Sequence, residues 1–234
     1  MIHISSQRLG DILSACTQKN VMVIGDLMLD RYLWGQVTRI SPEAPVPIIN
    51  IEDDDVRFGG AANVANNIVG LGATPVLVGT VGEDTGGEMF RDLLKKKQLT
   101  ADGLISDATR PTTIKTRIIG NNQQIARVDR EKTHAIDSSV QQRILNQVRE
   151  LIVDVDAIIL QDYNKGIMVP DLIHGVVKIA RENKTIVTVD PKFDHFLEYR
   201  DVTLFKPNRK ETEEALALRL DDDDAVCEAG KMLL

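Results

Sequence analysis

Short apolar runs alternate along the chain with stretches in which apolar residues recur every three or four positions. Residues 21–25 form an unbroken apolar run that closes on Gly25, the pattern of a strand buried on both faces. Strand-like runs recur at residues 75–82, 156–161, 185–189 and 202–205. Between them lie helical stripes: Leu9, Ile12, Leu13 and Cys16; Ala61, Ala62, Ala65, Ile68 and Leu71; residues 88–98; Val140, Ile144, Val148 and Leu151. Gly72 stands where a helix commonly ends, and Pro170 stands where one commonly opens. Lys95, Lys96 and Lys97 close the third stripe and read as compensation of the negative helix end. A last helix is under way at Leu234. Strands alternating with helices predict a parallel sheet with right-handed crossovers, hence a layered α/β fold.

Two segments break this rhythm. Residues 31–57 hold Tyr32, Leu33 and Trp34, then Pro42, Pro45 and Pro47, then a strand-like run at 48–51. Prolines this dense confine a segment to loops and edge strands. The acidic run Glu52, Asp53, Asp54, Asp55 reads as a solvated turn. Residues 112–119 and 123–129 are β-rich and flank Gly120-Asn121-Asn122, a hairpin signal. Together, about 31–57 and 112–130 are expected to form a small separate β-sheet, a lid; the alternative is an extra hairpin on the main sheet. All 234 residues are then one domain carrying that lid.

The predicted strands end in polar residues of similar kinds: Gly25-Asp26, Gly82-Glu83-Asp84, Asp162, Asp190-Pro191-Lys192 and Lys206-Pro207-Asn208. In a parallel sheet these ends share one edge, where open α/β sheets bind ligands. Carboxylates mixed with lysines suit an anionic substrate. Gly59 and Gly60 precede the alanine-rich helix, and Asn63 lies one turn inside it. Paired glycines let backbone approach a ligand, and the first helical N–H groups have no partner within the helix. An amide beside them suits a polyhydroxylated ligand. A tight turn before a packed helix is the competing reading. Gly25 stands alone, without the glycine fingerprint of a dinucleotide-binding fold.

Composition narrows the partners. A net charge of −7 with no basic stripe argues against nucleic acid. No apolar run approaches the ~20 residues of a membrane span, and the expected location is the cytoplasm. Cys16 and Cys227 lack metal-ligand spacing and are expected to be reduced, buried thiols. With only 4% aromatic residues, the core must be aliphatic.

The stretch Phe58-Gly59-Gly60-Ala61-Ala62-Asn63-Val64-Ala65 resembles the N-terminal signature of the ribokinase-like carbohydrate kinases. Lys206-Pro207-Asn208-Arg209-Lys210-Glu211 resembles their Asn-x-x-Glu motif. Within that family the likeness narrows to the D-glycero-β-D-manno-heptose 7-phosphate kinases, which supply lipopolysaccharide precursors and are often fused to a nucleotidyltransferase. It is carried by residues 25–32, 39–47, 122–124, 162–166 and 190–192. The resemblance implies a three-layer ribokinase-like fold and transfer of phosphate from ATP with Mg²⁺. It places Asp30, Gly59, Gly60 and Asn63 on the sugar hydroxyls. Lys115, Arg117, Arg127 and Arg39 become candidates for the sugar's own phosphate. Asp162 and Lys165 go to the substrate side. Asp190, Lys192, Asn208 and Glu211 go to the nucleotide phosphates, with Glu211 acting on the metal through water.

The family's Gly-Ala-Gly-Asp stretch, which supplies the anion hole and general base, does not occur in these residues. The resemblance therefore places the base beyond Leu234, assigns no catalytic residue here, and implies a truncated domain inactive alone. Alternatives are a kinase for another sugar or nucleoside, or a sugar-phosphate-binding module without chemistry. Apolar lid residues Leu33, Trp34, Val46, Ile48 and Ile49 are expected to be exposed and to form a homodimer.

Overall fold

The computed structural model describes residues 4–234, and residues 1–3 lie outside them. The order begins α1 (Ser6–Cys16), β1 (Asn20–Gly25), β2 (Leu27–Ile40), β3 (Pro47–Gly60), α2 (Ala61–Gly70), β4 (Thr74–Gly82) and α3 (Thr85–Lys96). It continues with β5 (Leu104–Asp107), β6 (Thr113–Gly120), β7 (Gln123–Arg130), α4 (Ser138–Leu151) and β8 (Ala157–Gln161). It closes with α5 (Pro170–Glu182), β9 (Ile186–Asp190), β10 (Leu204–Phe205), α6 (Arg209–Leu216) and α7 (Asp223–Leu233).

Six strands form the main sheet in the order β10-β9-β8-β1-β4-β5, every neighbouring pair parallel. Successive side chains of a strand point to opposite faces. In β1, Met22 and Ile24 enter one core with α4 and α5, while Val23 enters another with α2 and α3. The result is helix, sheet, helix: the three-layer α/β fold expected. α2 ends as its sequence implies. Gly72 sits at φ +84°, its N–H donates to the Val69 carbonyl, and Ala73 N–H donates to Ile68, a Schellman closure that a left-handed glycine makes possible.

The second sheet runs β3-β2-β6-β7. β2 and β3 are antiparallel partners, β6 lies parallel to β2, and β7 closes a hairpin on β6 through Asn121 and Asn122, both at positive φ. Residues 31–57 and 112–130 thus pair with each other and not with the main sheet. The strands reach further inward than expected, to Leu27 and Gly60. The acidic run is no turn. Asp53, Asp54 and Asp55 lie within β3, the edge strand, where charge also blunts pairing with another chain. Alternation sends Asp54 to Arg31 on one face and Asp55 to Arg57 on the other. The thiols also differ from expectation: Cys16 is half-buried and Cys227 exposed, because α7 buries only Ala229. Of the apolar lid residues, Trp34 and Val46 are exposed, while Leu33, Ile48 and Ile49 are half-buried.

Candidate functional site

The chain order reverses between β1 and β8, so the crevice at their carboxyl ends is the topological switch point of the main sheet. Asp26 stands there, 1% exposed. Its carboxylate accepts the backbone N–H groups of Tyr163 (2.8 Å), Lys165 (3.2 Å) and Ile167 (3.2 Å). Burial pushes its pKa up to about 6, helped by the charge of Asp162, while those three N–H groups pull the other way. Asp162 is equally buried and accepts from Asn164 N–H and the Tyr199 hydroxyl, each at 2.8 Å. Burial raises its pKa as well. One Asp162 oxygen thus holds the 162–167 loop and the other meets Tyr199, and the residue does not line the cleft described next. Arg110 pins the same loop from β5's end, donating to the Lys165 carbonyl at 3.0 Å and the His134 carbonyl at 2.6 Å.

Asp30 leaves β2 into a cleft of about 440 Å³ bounded by the edge of β3, α2 and the end of α3. Asn63 and Asn66 of α2 line it with Asp30. The glycine pair explains itself here. A Cβ at Gly59 would stand 2.6 Å from the Asp30 carboxylate, so glycine is what lets that carboxylate lie beside the helix entrance. Gly60 caps α2 at φ +55°, and a Cβ there would meet the Asp26 carbonyl at 2.4 Å. The first helical N–H is not open to a ligand: Ala61 donates to the Asp26 carbonyl at 3.0 Å. Asp30 and Asn63 therefore share the cleft, while Gly59 and Gly60 are buried and do not line it. Arg117 forms an ion pair with Asp30, and its guanidinium lies 5.2 Å from the Tyr32 ring centroid.

The remaining substrate-side cations Lys115, Arg127 and Lys165 are each held in ion pairs. Lys115 is held by Asp129 and Glu131 at 3.1 Å each, Arg127 by Asp129 at 3.0 Å, and Lys165 by Glu131 at 2.8 Å. Cross-strand register makes this pairing, since Lys115 stands opposite Asp129 in the hairpin. Arg39 lies at the far end of β2, opposite Ile48. On the other side of the edge, Asp190, Lys192, Asn208 and Glu211 gather after β9 and β10. Lys192 pairs with Glu211, and Lys206 with Asp190 at 2.9 Å. Asn208 caps α6 by accepting from Glu211 N–H at 2.9 Å, and Glu211 accepts in return from Asn208 N–H at 2.8 Å. The Asn-x-x-Glu stretch is thus a capping box.

Over residues 18–234 the chain matches the model of the pfkB family carbohydrate kinases. The chain belongs to that family. Among its relatives, the bifunctional protein HldE of Geobacter metallireducens is 43% identical over 92% of this chain and 44% of that protein. HldE of Helicobacter pylori strain 26695 is 42% identical over 92% of this chain and 47% of that protein. The chain spans a little under half the length of these curated relatives. Among solved structures, tetrameric phosphofructokinase-2 of Escherichia coli superposes with a TM-score of 0.70 at 16% identity, covering 92% of this chain and 69% of that one. Ribokinase of Arabidopsis thaliana, solved with ribose and ATP, gives 0.65 at 16%, covering 92% and 68%. Likeness at that identity speaks to the fold, and it is the three-layer fold seen here.

In this pfkB-family chain, no three Asp, Glu, His or Cys side chains stand together as a metal cage among the described residues. Glu211 has one oxygen on Lys192 and the other on Asn208 N–H. That arrangement fits a Mg²⁺ carried by phosphates and reached through water, which asks for one carboxylate. Sequence reasoning missed Arg110; it placed Asp26 on the ligand edge and Tyr163 in a stretch of family likeness, but assigned neither a role. The Tyr163 phenol is half-buried; burial and the charge of Asp190 raise its pKa, and it also feels Lys192, Asp30 and Asp26. It stands in the field of both residue groups. Their roles carry no local signal, because their partners lie far away in the chain.

Proposed function

We propose that these residues are the kinase portion of a longer protein that transfers the terminal phosphate of ATP to a sugar phosphate. The best-supported substrate is D-glycero-β-D-manno-heptose 7-phosphate, giving the 1,7-bisphosphate for lipopolysaccharide precursors. The observation that carries the reading is that Asp30 and Asn63 line one cleft large enough for a sugar, with Gly59 making room for the Asp30 carboxylate. A carboxylate together with an amide is a reader of hydroxyl groups. The narrower substrate rests on the resemblance over residues 25–32 and 39–47 and on membership shared with HldE.

Phosphoryl transfer asks the protein mainly for position and charge neutralisation. ATP with Mg²⁺ supplies the phosphoryl group and its counter-charge. Lys192, Asn208 and Glu211 serve that side, with Asp190 holding Lys206 beside it. Asp30 and Asn63 orient the acceptor hydroxyl, and Arg117 steadies Asp30. No general base is assigned among residues 4–234. The two carboxylates with raised pKa, Asp26 and Asp162, are buried and hold a loop. In this reading the second sheet is a lid, exposed Trp34, Val46 and Ile51 make it a homodimer interface, and the protein works in the cytoplasm. No helix among the described residues is long and apolar enough to cross a membrane.

The test is ATP consumption by the full-length protein against a panel of sugar phosphates and nucleosides. Heptose 7-phosphate should give the highest kcat/KM. A better alternative substrate would reassign the specificity. Binding without turnover would make this a sugar-phosphate-binding module.

A further inference from the structure

The cleft that begins at Asp30 and Asn63 does not end there. Lys96, the last residue of α3, and Lys97, which caps it, line the same cleft, as does Asn66 of α2. Asn63 and Asn66 are three residues apart on α2, so their amides share one face. Charge is unevenly matched along this lining. Asp30 is answered by Arg117, and Asp55 by Arg57. Lys96 and Lys97 have no carboxylate within ion-pair distance among the described residues, unlike Lys115, Arg127 and Lys165. The uncompensated charge lining the cleft is therefore two ammonium groups, contributed by α3's end and not by the strand and helix that carry Asp30 and Asn63. Lys95 shares the same helix end but does not line the cleft.

We infer that Lys96 and Lys97, with the Asn66 amide, form the subsite for the phosphate that the sugar already carries. The inference rests on the sugar-kinase reading above and moves the phosphate away from Lys115 and Arg127. A seven-carbon sugar phosphate has its anionic group at the end of the chain remote from its anomeric hydroxyl. With hydroxyls on Asp30 and Asn63, the phosphate extends along α2 towards α3. Lysine suits that task as a mobile point charge. The helix-end role of the lysine run is then left mainly to Lys95.

The experiment compares calorimetric binding of heptose 7-phosphate and of the unphosphorylated heptose to the full-length protein. Wild type should prefer the phosphorylated sugar. Lys96→Met with Lys97→Met should weaken it by about tenfold or more per lysine, as for a lost charge-assisted contact. Binding of the unphosphorylated sugar should stay unchanged, and Lys95→Met should leave both affinities in place. The substituted side chains are exposed, so folding is not at risk. No preference in wild type, an unmoved preference in the double variant, or an equal loss in Lys95→Met would overturn the subsite. Retained preference and normal variant behaviour without ATP turnover would uphold the subsite and overturn the kinase reading instead.

Discussion

Asp26 and Asp162, at the carboxyl edge of the main sheet, are 1% exposed and bonded to backbone N–H groups and a phenol. Asp30, Asp129 and Glu131, on or beside the second sheet, keep about a fifth of their side chains in solvent and are bonded to cations. The first arrangement cannot exchange partners: removing either oxygen leaves buried donors with nothing to meet. The second can. An arginine or lysine at a half-exposed pair can release its carboxylate to a sugar hydroxyl at small cost, because solvent screens both charges. Two neighbouring aspartates, Asp26 and Asp30, thus do different work. One builds the crevice and the other faces what enters it.

The sharpest way to break this contrast is to remove each aspartate in turn. Asp26→Ala orphans three N–H groups, that of Ile167 buried and those of Tyr163 and Lys165 partly so, and should cost about 2–3 kcal/mol of folding stability, since each fully buried unsatisfied group costs ~1–3 kcal/mol. Asp30→Ala should change stability by no more than ~1 kcal/mol while abolishing measurable sugar binding. Urea denaturation and calorimetry on the full-length protein measure both. Equal stability losses would mean that Asp30 is a frame residue too.

Asn63→Ala sharpens the ligand side. The amide lines the cleft from the exposed face of α2, so its loss should leave stability nearly unchanged. The sugar KM should rise, with kcat/KM falling by ~1–3 kcal/mol of lost polar contact, while ATP affinity hardly moves. Comparable losses for both substrates would make Asn63 structural.

The two regions should also part under acid. Asp26 has its folded pKa raised to about 6 from 3.8, and Asp162 is raised as well. A carboxyl raised on folding takes up its proton in the native state first. These two therefore make the fold more stable as pH falls from about 7 towards 5. Asp84, Asp129 and Glu131 lie the other way. Burial pushes each up, but hydrogen bonds from Thr112, from Lys115 and from Lys165 respectively outweigh it and hold each below its ordinary value. Their stabilisation is full above about pH 4–5 and is lost below it, as they protonate. Stability against urea should therefore rise and then fall on acidification. Asp26→Asn should remove much of the rise. A monotonic decline from pH 7 would contradict the buried-carboxylate account.

How much of this could be read from the residues follows the same division. The main strands and most helices announce themselves, because burial on both faces writes continuous apolar runs. β5, four residues long, has too little length for any period to show. The first part of β3 was legible at 48–51, but its acidic stretch read as a turn because an edge strand can carry Asp53, Asp54 and Asp55 without fully burying them. The Gly59-Gly60 pair was legible as a place of close approach, but what approaches in the structure is the Asp30 carboxylate and the Asp26 carbonyl. The role of Asp26 was not legible: it needs the loop at 163–167, brought beside it only by sheet order. Asn208 and Glu211 were legible twice over, as a family motif and as a capping box, and the structure displays the second.

The smallest effect expected concerns the joint between the regions. Glu131 follows β7 and accepts from Lys115 of the second sheet and from Lys165 of the loop that Asp26 holds. It is an ionic link from the sheet to the crevice. Each of its partners is partly exposed and Lys115 retains Asp129. Glu131→Gln should therefore cost less than ~1 kcal/mol, and raised salt should shrink the difference further. A double-mutant cycle of Glu131→Gln with Lys165→Met isolates the link. A coupling of ~0.2–1 kcal/mol is expected for a screened pair. The cycle with Lys115→Met should couple less, since Asp129 remains as that lysine's second partner. A coupling of several kcal/mol, insensitive to salt, would show that Glu131 behaves like Asp26, as part of the rigid frame. The second sheet could then not move against the crevice by exchanging ion pairs.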